Sequence, residues 1–341
     1  MLFLLLLFIP AAVSAEPVII NAVGDIMLAG SGTALFNRSG YDYPFNATSA
    51  VLRQGDLTIG NLESPITRSG KEFIGKKFRF RSNPAAASAL QRAGFHHLSL
   101  ANNHILDYGA SGLQDTLAAL DDLGITHAGA GADLEAARRG TIVTVKGVRI
   151  ALLSYSLTYP AEFYARADRP GTAPGHEQFY RADIARAKRS ADYVIVSFHW
   201  GVESTVLPRD YQKSTAHRAI DAGADVILGH HPHVLQGIEY YKGGVVFYSL
   251  GNFAFASRSR IADKSMIARI TLDKGIRGVE VIPLNVLYTD VRYQPQLLSG
   301  PRGKDVAERL NRLSSDMGTV ISASGGRYLA EKRRQEVAWQ E

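Results

Sequence analysis

The chain has 341 residues, enough for one large domain or two, each with a full hydrophobic core. It has no cysteine, which excludes disulfides and thiolate metal sites, so any metal must sit on nitrogen and oxygen ligands. Lys and Arg outnumber Asp and Glu by 38 to 32, a formal charge of +6, but there is no long basic run and no aromatic–basic interleaving of the kind that binds nucleic acid. The mild basic excess suits a solvated surface or an anionic substrate or polymer.

Residues 2–9 are all apolar and run into Pro10-Ala11-Ala12-Val13-Ser14-Ala15, a small-x-small cleavage pattern. This reads as an export signal over residues 1–15, cleaved after Ala15, and predicts a periplasmic or extracellular protein. The run is too short to span a bilayer, and no later segment approaches the required length, so no transmembrane segment is expected after signal removal.

Residues 18–23 form an apolar strand pattern that ends at Gly24-Asp25, and a loop-like Gly/Ser/Asn-rich stretch occupies 29–46. A short strand at 57–60 leads into Asn61-Leu62-Glu63, and an edge strand is predicted over 71–80. Pro84 opens a helix over 85–93 that Gly94 stops. A strand over 95–100 ends at Asn102-Asn103-His104, and Leu113, Leu117 and Leu120 set a helical period over 111–123. A hairpin over 141–155 turns at Lys146-Gly147, and an irregular Pro/Gly stretch covers 159–178. A helix over 181–190 precedes a strand over 193–198 that ends at His199. A helix over 212–222 precedes Val226-Ile227-Leu228-Gly229 and the cluster His230-His231-Pro232-His233. A strand over 245–250 ends at Gly251-Asn252-Phe253, a last hairpin spans 267–286, and an amphipathic helix over 305–313 and a polar tail close the chain.

Alternating strands and helices with added hairpins predict a layered α/β fold with mixed sheets. One main domain is expected over 18–256, with 257–341 as a C-terminal extension packing on it.

The polar blocks recur where strands end, the place at which open α/β sheets put their chemistry. Asp25 after a strand and a Gly is a candidate ligand, with a turn Asp satisfied by backbone N–H groups as the lesser alternative. Asn61 and Glu63, two apart, share one face of an extended chain, so one can bind a metal while the other orients it or a substrate. Asn103 offers an amide oxygen; His104 is a candidate general acid or phosphate-oxygen partner, with Asp107 close enough to orient it. His199 ends an apolar run. His231 and His233 flank Pro232 and can bite one metal or bridge two, with His230 expected to point the other way. Asn61, Trp200, Glu203 and Asn252 are the candidate substrate-binding residues, Trp200 as a pocket wall. One or two divalent ions are implied, with Mn, Fe or Zn as the leading identities.

These blocks, with Ser249-Leu250-Gly251-Asn252-Phe253, resemble the CapA family of poly-γ-glutamate capsule-synthesis proteins, a branch of the calcineurin-like metallophosphoesterase superfamily. The resemblance spans residues 18–256 and implies a four-layer α/β/β/α sandwich with a two-metal cleft between its sheets. It implies Asp25 as a first-motif ligand, Glu63 where a bridging carboxylate lies, Asn103 as an amide ligand and His104 as the acid. His199, His231 and His233 would complete the metal shells. Two departures stand out: Met27 fills the position of the usual first-motif His, and Asn61-Leu62-Glu63 replaces an Asp-bearing motif. The first weakens one of the two metal sites.

The function implied is an exported metal-dependent hydrolase or transferase acting on an anionic envelope polymer or small phosphoester, in association with capsule-synthesis machinery. A non-catalytic polymer-binding or assembly factor is the alternative. A nucleotidase-like phosphatase is a third reading, and it would need an imidazole such as His230 to replace the one missing at Met27.

Overall fold

The computed structural model describes residues 16–333, so the expected export signal at 1–15 lies outside the described residues. Among the described residues two large sheets face each other. The first has the strand order Thr319–Ser324, Arg327–Lys332, Ile276–Asn285, Lys264–Leu272, Val18–Ile26, Leu57–Leu62, His97–Ser99, Thr126–Ala128. The second runs Ile238–Tyr241, Gly244–Phe247, Val226–His230, Tyr193–His199, Val148–Ser156, Thr141–Val145.

Side-chain alternation builds the layers. Val18, Ile20 and Ala22 point between the sheets and pack with Leu57, Ile59, Ile150, Leu152, Ile195, Val226 and Leu228. The opposite face of the first sheet, with Val23 and Leu98, is covered by the helices Ala85–Ala93 and Gly109–Asp121 through Leu90, Leu113 and Leu120. The outer face of the second sheet, with Val194, Val196 and Phe198, is covered by Glu177–Lys188 and Asp210–Asp221 through Ile184, Ala216 and Ala219. The result is the expected α/β/β/α sandwich. Burying each large aliphatic side chain in these layers stabilises the fold by about 1.5–3 kcal/mol. No helix among the described residues is long and apolar enough to cross a membrane.

Three expectations need correction. Residues 71–80 form no strand; Lys71, Lys76, Lys77 and Arg79 crowd this segment, and only an isolated Ile66–Ser82 bridge lies beside it. The last hairpin, expected in an extension packing on the main domain, is instead built into its first sheet. Lys264–Leu272 pairs antiparallel with Val18–Ile26, from Val18 against Leu272 to Ala22 against Ala268, so the first sheet runs straight across residue 256. The polar tail contains a further hairpin, Thr319–Ser324 with Arg327–Lys332, whose Ile321 and Ala330 reach the inter-sheet core.

Parallel pairing brings the polar blocks to one end. Val18–Ile26, Leu57–Leu62 and His97–Ser99 run parallel, as do Val148–Ser156, Tyr193–His199, Val226–His230 and Gly244–Phe247. A bulge aims Asp25. Ala22 pairs with Ile59 and Asp25 with Asn61, three residues against two, so Asp25 faces the inter-sheet side that strict alternation would deny it.

Gly24 makes this possible, because a Cβ there would lie 1.8 Å from the Gly251 carbonyl oxygen. That same carbonyl accepts the Asp25 N–H at 3.0 Å. Gly24→Ala should therefore destabilise the fold by about 1–3 kcal/mol, the usual range for overpacking. A urea-unfolding curve superimposable on wild type would contradict this account of the close approach.

Candidate metal centre

Glu63 is the focus of the site. It follows Leu57–Leu62, its side chain is fully buried, and neither carboxylate oxygen has a hydrogen bond among the described residues. His199 Nε2 lies 3.4 Å and His233 Nε2 3.7 Å from Glu63 Oε1. His199 Nε2 is also 2.9 Å from Asn103 Oδ1. The Nδ1 of His231 is buried with no hydrogen bond among the described residues. One ligand atom each from Glu63, His231 and His233 lies within 4.8 Å of the others.

The 3.4 Å between His199 Nε2 and Glu63 Oε1 fits a shared cation, and the 3.7 Å to His233 Nε2 lies just beyond the ideal spacing. Two ligands each about 2.0–2.2 Å from one metal stand about 3.0–3.5 Å apart. An unpaired buried carboxylate is costly unless a cation meets it. The residues that would hold a divalent ion are Glu63, Asn103, His199, His231 and His233.

The backbone is strained where it presents the two histidines. His231 has φ 93° and His233 φ 58°, left-handed values that cost non-glycine residues on the order of 1–3 kcal/mol each. The segment is braced: the Ser204 N–H donates to the Pro232 carbonyl at 2.8 Å. Asn252 accepts from His233 Nδ1 at 3.0 Å and donates Nδ2 to the His233 carbonyl at 3.1 Å. Asn252 thus positions His233.

Asp25 sits behind these ligands. Its Oδ1 accepts Asn61 Nδ2 at 2.8 Å, and its Oδ2 lies 3.0 Å from His233 Nδ1 and 3.3 Å from the His231 N–H. Asn61 also approaches His199 Nδ1 at 3.3 Å, which makes it a buried organiser of the site. Asn102 donates to Asn61 Oδ1 at 3.1 Å and caps the turn by accepting the His104 and Ile105 N–H groups.

Beside the cluster lies the dyad the sequence suggests. His104 Nδ1 is 2.7 Å from Asp107 Oδ2. Sequence reasoning missed its third member. Lys76 Nζ donates to Asp107 Oδ1 at 2.7 Å, sits 3.0 Å from His104 Nδ1 and contacts the Asn103 carbonyl. The Phe80 N–H also donates to Asp107, at 2.8 Å. Nothing in the local pattern around Lys76-Lys77 marks this lysine, because its partners lie about thirty residues along the chain.

Two candidates sit differently from expectation. Trp200 is fully buried on the helix side, stacked on Phe198 at 4.9 Å with its indole N–H donated to the Tyr248 carbonyl, so it is a core residue and no pocket wall. His230 points into the site, its Nδ1 3.3 Å from Asp25 Oδ1, where the sequence suggested it turned away. The cause is register: His230 pairs with His199 on the neighbouring parallel strand, and paired residues share a face. Glu203 is exposed, near enough for its charge to act on Glu63 and His233.

The electrostatics follow from burial and proximity. Burial pushes the Glu63 carboxyl well above the usual range, with the His233 charge opposing it. Burial also works against the Asp25 charge, but His230 and His233 outweigh it and hold Asp25 well below. Burial drives His199 well down and His231 down to about 3. His233 is the exception: burial disfavours its charge, yet Glu63 and Asp25 raise it to about 10. Burial lowers both His104 and Lys76 in spite of Asp107.

The α/β/β/α sandwich places this cluster at the carboxyl ends of its parallel strands. The structure of Haemophilus influenzae NAD nucleotidase (NadN) shares the fold, with a TM-score of 0.51 and 16% identity over 88% of this chain and 63% of that one. The family profile described as "Bacterial capsule synthesis protein PGA_cap" matches residues 19–257, and the chain belongs to that family. It is 36% identical over 279 residues to the capsule biosynthesis protein CapA of Bacillus anthracis, covering 80% of this chain and 68% of that protein. The PGA biosynthesis protein CapA of Bacillus subtilis is 35% identical over 267 residues, 77% of this chain and 70% of that protein. A probable polyglutamine synthesis accessory protein of Mycobacterium tuberculosis is 38% identical over 223 residues, 62% of this chain and 59% of that protein.

The raised pKa of His233 gives a test of the ligand set. A metal at its Nε2 must displace the proton held there below about pH 10. Apparent Mn2+ affinity should therefore rise about tenfold per pH unit for the one displaced proton. Competition titrations between pH 6 and 9 check this, and a flat profile would remove His233 from the ligands.

Proposed function

We propose that this protein is an exported, metal-dependent hydrolase or transferase of capsule biogenesis, acting on an anionic envelope polymer or phosphoester. The observation that carries the reading is the buried Glu63, without a hydrogen bond among the described residues, set among His199, His231 and His233 beside the His104–Asp107 pair. Family membership and the relatives named for capsule and PGA biosynthesis support the capsule context.

A divalent ion bound there supplies a polarised oxygen and a water of lowered pKa. Asp107 holds His104 at Nδ1 and leaves Nε2 as the nitrogen that exchanges a proton with substrate. Burial keeps His104 neutral in the free protein; an anionic substrate beside it raises its proton affinity, so that it can protonate a leaving group. Lys76 offsets the Asp107 charge and adds a cation beside His104. The Glu203 charge would deter anions unless a cation or a basic group meets it, so Glu203 is a selectivity residue in this reading.

A second reading keeps the fold as a polymer-binding or assembly factor without turnover. Met27 favours it, since the first strand end then offers no imidazole. His104→Ala separates the two. In the catalytic reading it lowers kcat by about 10²–10⁴, the usual worth of a general acid, on an aryl phosphate or on poly-γ-glutamate. Bound metal should stay at the wild-type level. Unchanged turnover would remove His104 from the mechanism, and wild-type protein that binds the polymer but turns over neither substrate would favour the assembly role.

A further inference from the structure

Asp25 is already occupied by the protein. Asn61 Nδ2 at 2.8 Å and His230 Nδ1 at 3.3 Å face its Oδ1, and His233 Nδ1 at 3.0 Å and the His231 N–H at 3.3 Å face its Oδ2. Glu63 is the opposite case, equally buried and without a single hydrogen bond among the described residues. The two carboxylates therefore do different work. Asp25 and Asn252 both receive His233 through Nδ1, which fixes the proton there and leaves Nε2 toward Glu63. A carboxylate on one nitrogen of a histidine whose other nitrogen faces the ligand cluster is the arrangement that orients a metal-binding imidazole from behind. Position 27, two residues further along, offers a thioether and no imidazole.

We propose that the centre holds a single divalent ion, on Glu63, Asn103, His199, His231 and His233. Asp25 stands outside the ligand shell and orients His233. His230 stands against Asp25 Oδ1, in the place a second cation on that carboxylate would need. Its direction is built in, because its pairing with His199 turns both imidazoles to the same face. Its two nitrogens make no hydrogen bond among the described residues, and its Nδ1 stands 3.3 Å from Asp25 Oδ1. The inference rests on the metal-centre reading above and adds to it the number of ions and the role of Asp25.

The test is Mn2+ titration of the full chain, read by equilibrium dialysis and by electron paramagnetic resonance. The expected result is one equivalent per chain with an isolated six-line signal. Two equivalents with a spin-coupled signal would overturn the single-ion inference and leave the metal centre standing; no uptake would overturn both. Two variants test the roles, each checked for native fold by near-UV circular dichroism. Asp25→Asn should keep one equivalent and lose affinity by about 10- to 100-fold, as removal of an orienting partner does. His230→Ala should also keep one equivalent. Loss of the bound ion from folded His230→Ala protein would make His230 a ligand and overturn its assigned role.

Discussion

The buried Glu63 carboxylate is the constraint on which the site depends. An ionised carboxylate without hydrogen bonds in a protein interior costs several kcal/mol, and removing the partner of a buried charge is costlier than never having built the pair. The fold leaves Glu63 without a hydrogen bond among the described residues while it gives both Asp25 oxygens nitrogens to face. Imidazoles held neutral by burial, His199 and His231, stand ready on the same side. Such a set is poorly suited to an empty core and well suited to a cation.

The architecture makes this affordable. Two mixed sheets packed face to face bring the carboxyl ends of their parallel strands to one edge, so residues as far apart in the chain as Asp25 and Asn252 converge on His233. The strained His231 and His233 backbones draw on the stability of the three apolar layers behind them. On the opposite wall, Asp107 ties His104, Lys76 and the Phe80 N–H into one unit, which fixes the 71–81 segment to the site.

Much of this was legible because each polar block is contiguous and sits at a strand end. Asp25, Glu63, Asn103, His104, His199, His231 and His233 could be read as one group before any geometry was known, and all converge. What was not legible depends on register or on distant contacts. The bulge after Ala22 decides which face Asp25 takes, and pairing with His199 decides that His230 points inward. Trp200 follows a site histidine yet faces the helix layer, since neighbours on a strand take opposite faces. Lys76 enters from a segment whose alternating Phe78 and Phe80 mimic an edge strand, and only the three-dimensional position of Asp107 explains its conformation. The hairpin at 264–285 was recognised as a hairpin, but its place in the centre of the first sheet is a long-range pairing that no local pattern encodes.

The measurement that tests the central claim most directly is elemental analysis of the purified protein beside a His231→Ala, His233→Ala double variant. The account predicts near-stoichiometric divalent metal in the wild type, lost in a double variant that remains folded. Wild-type protein that is free of metal and fails to take up added Mn, Fe or Zn would contradict it.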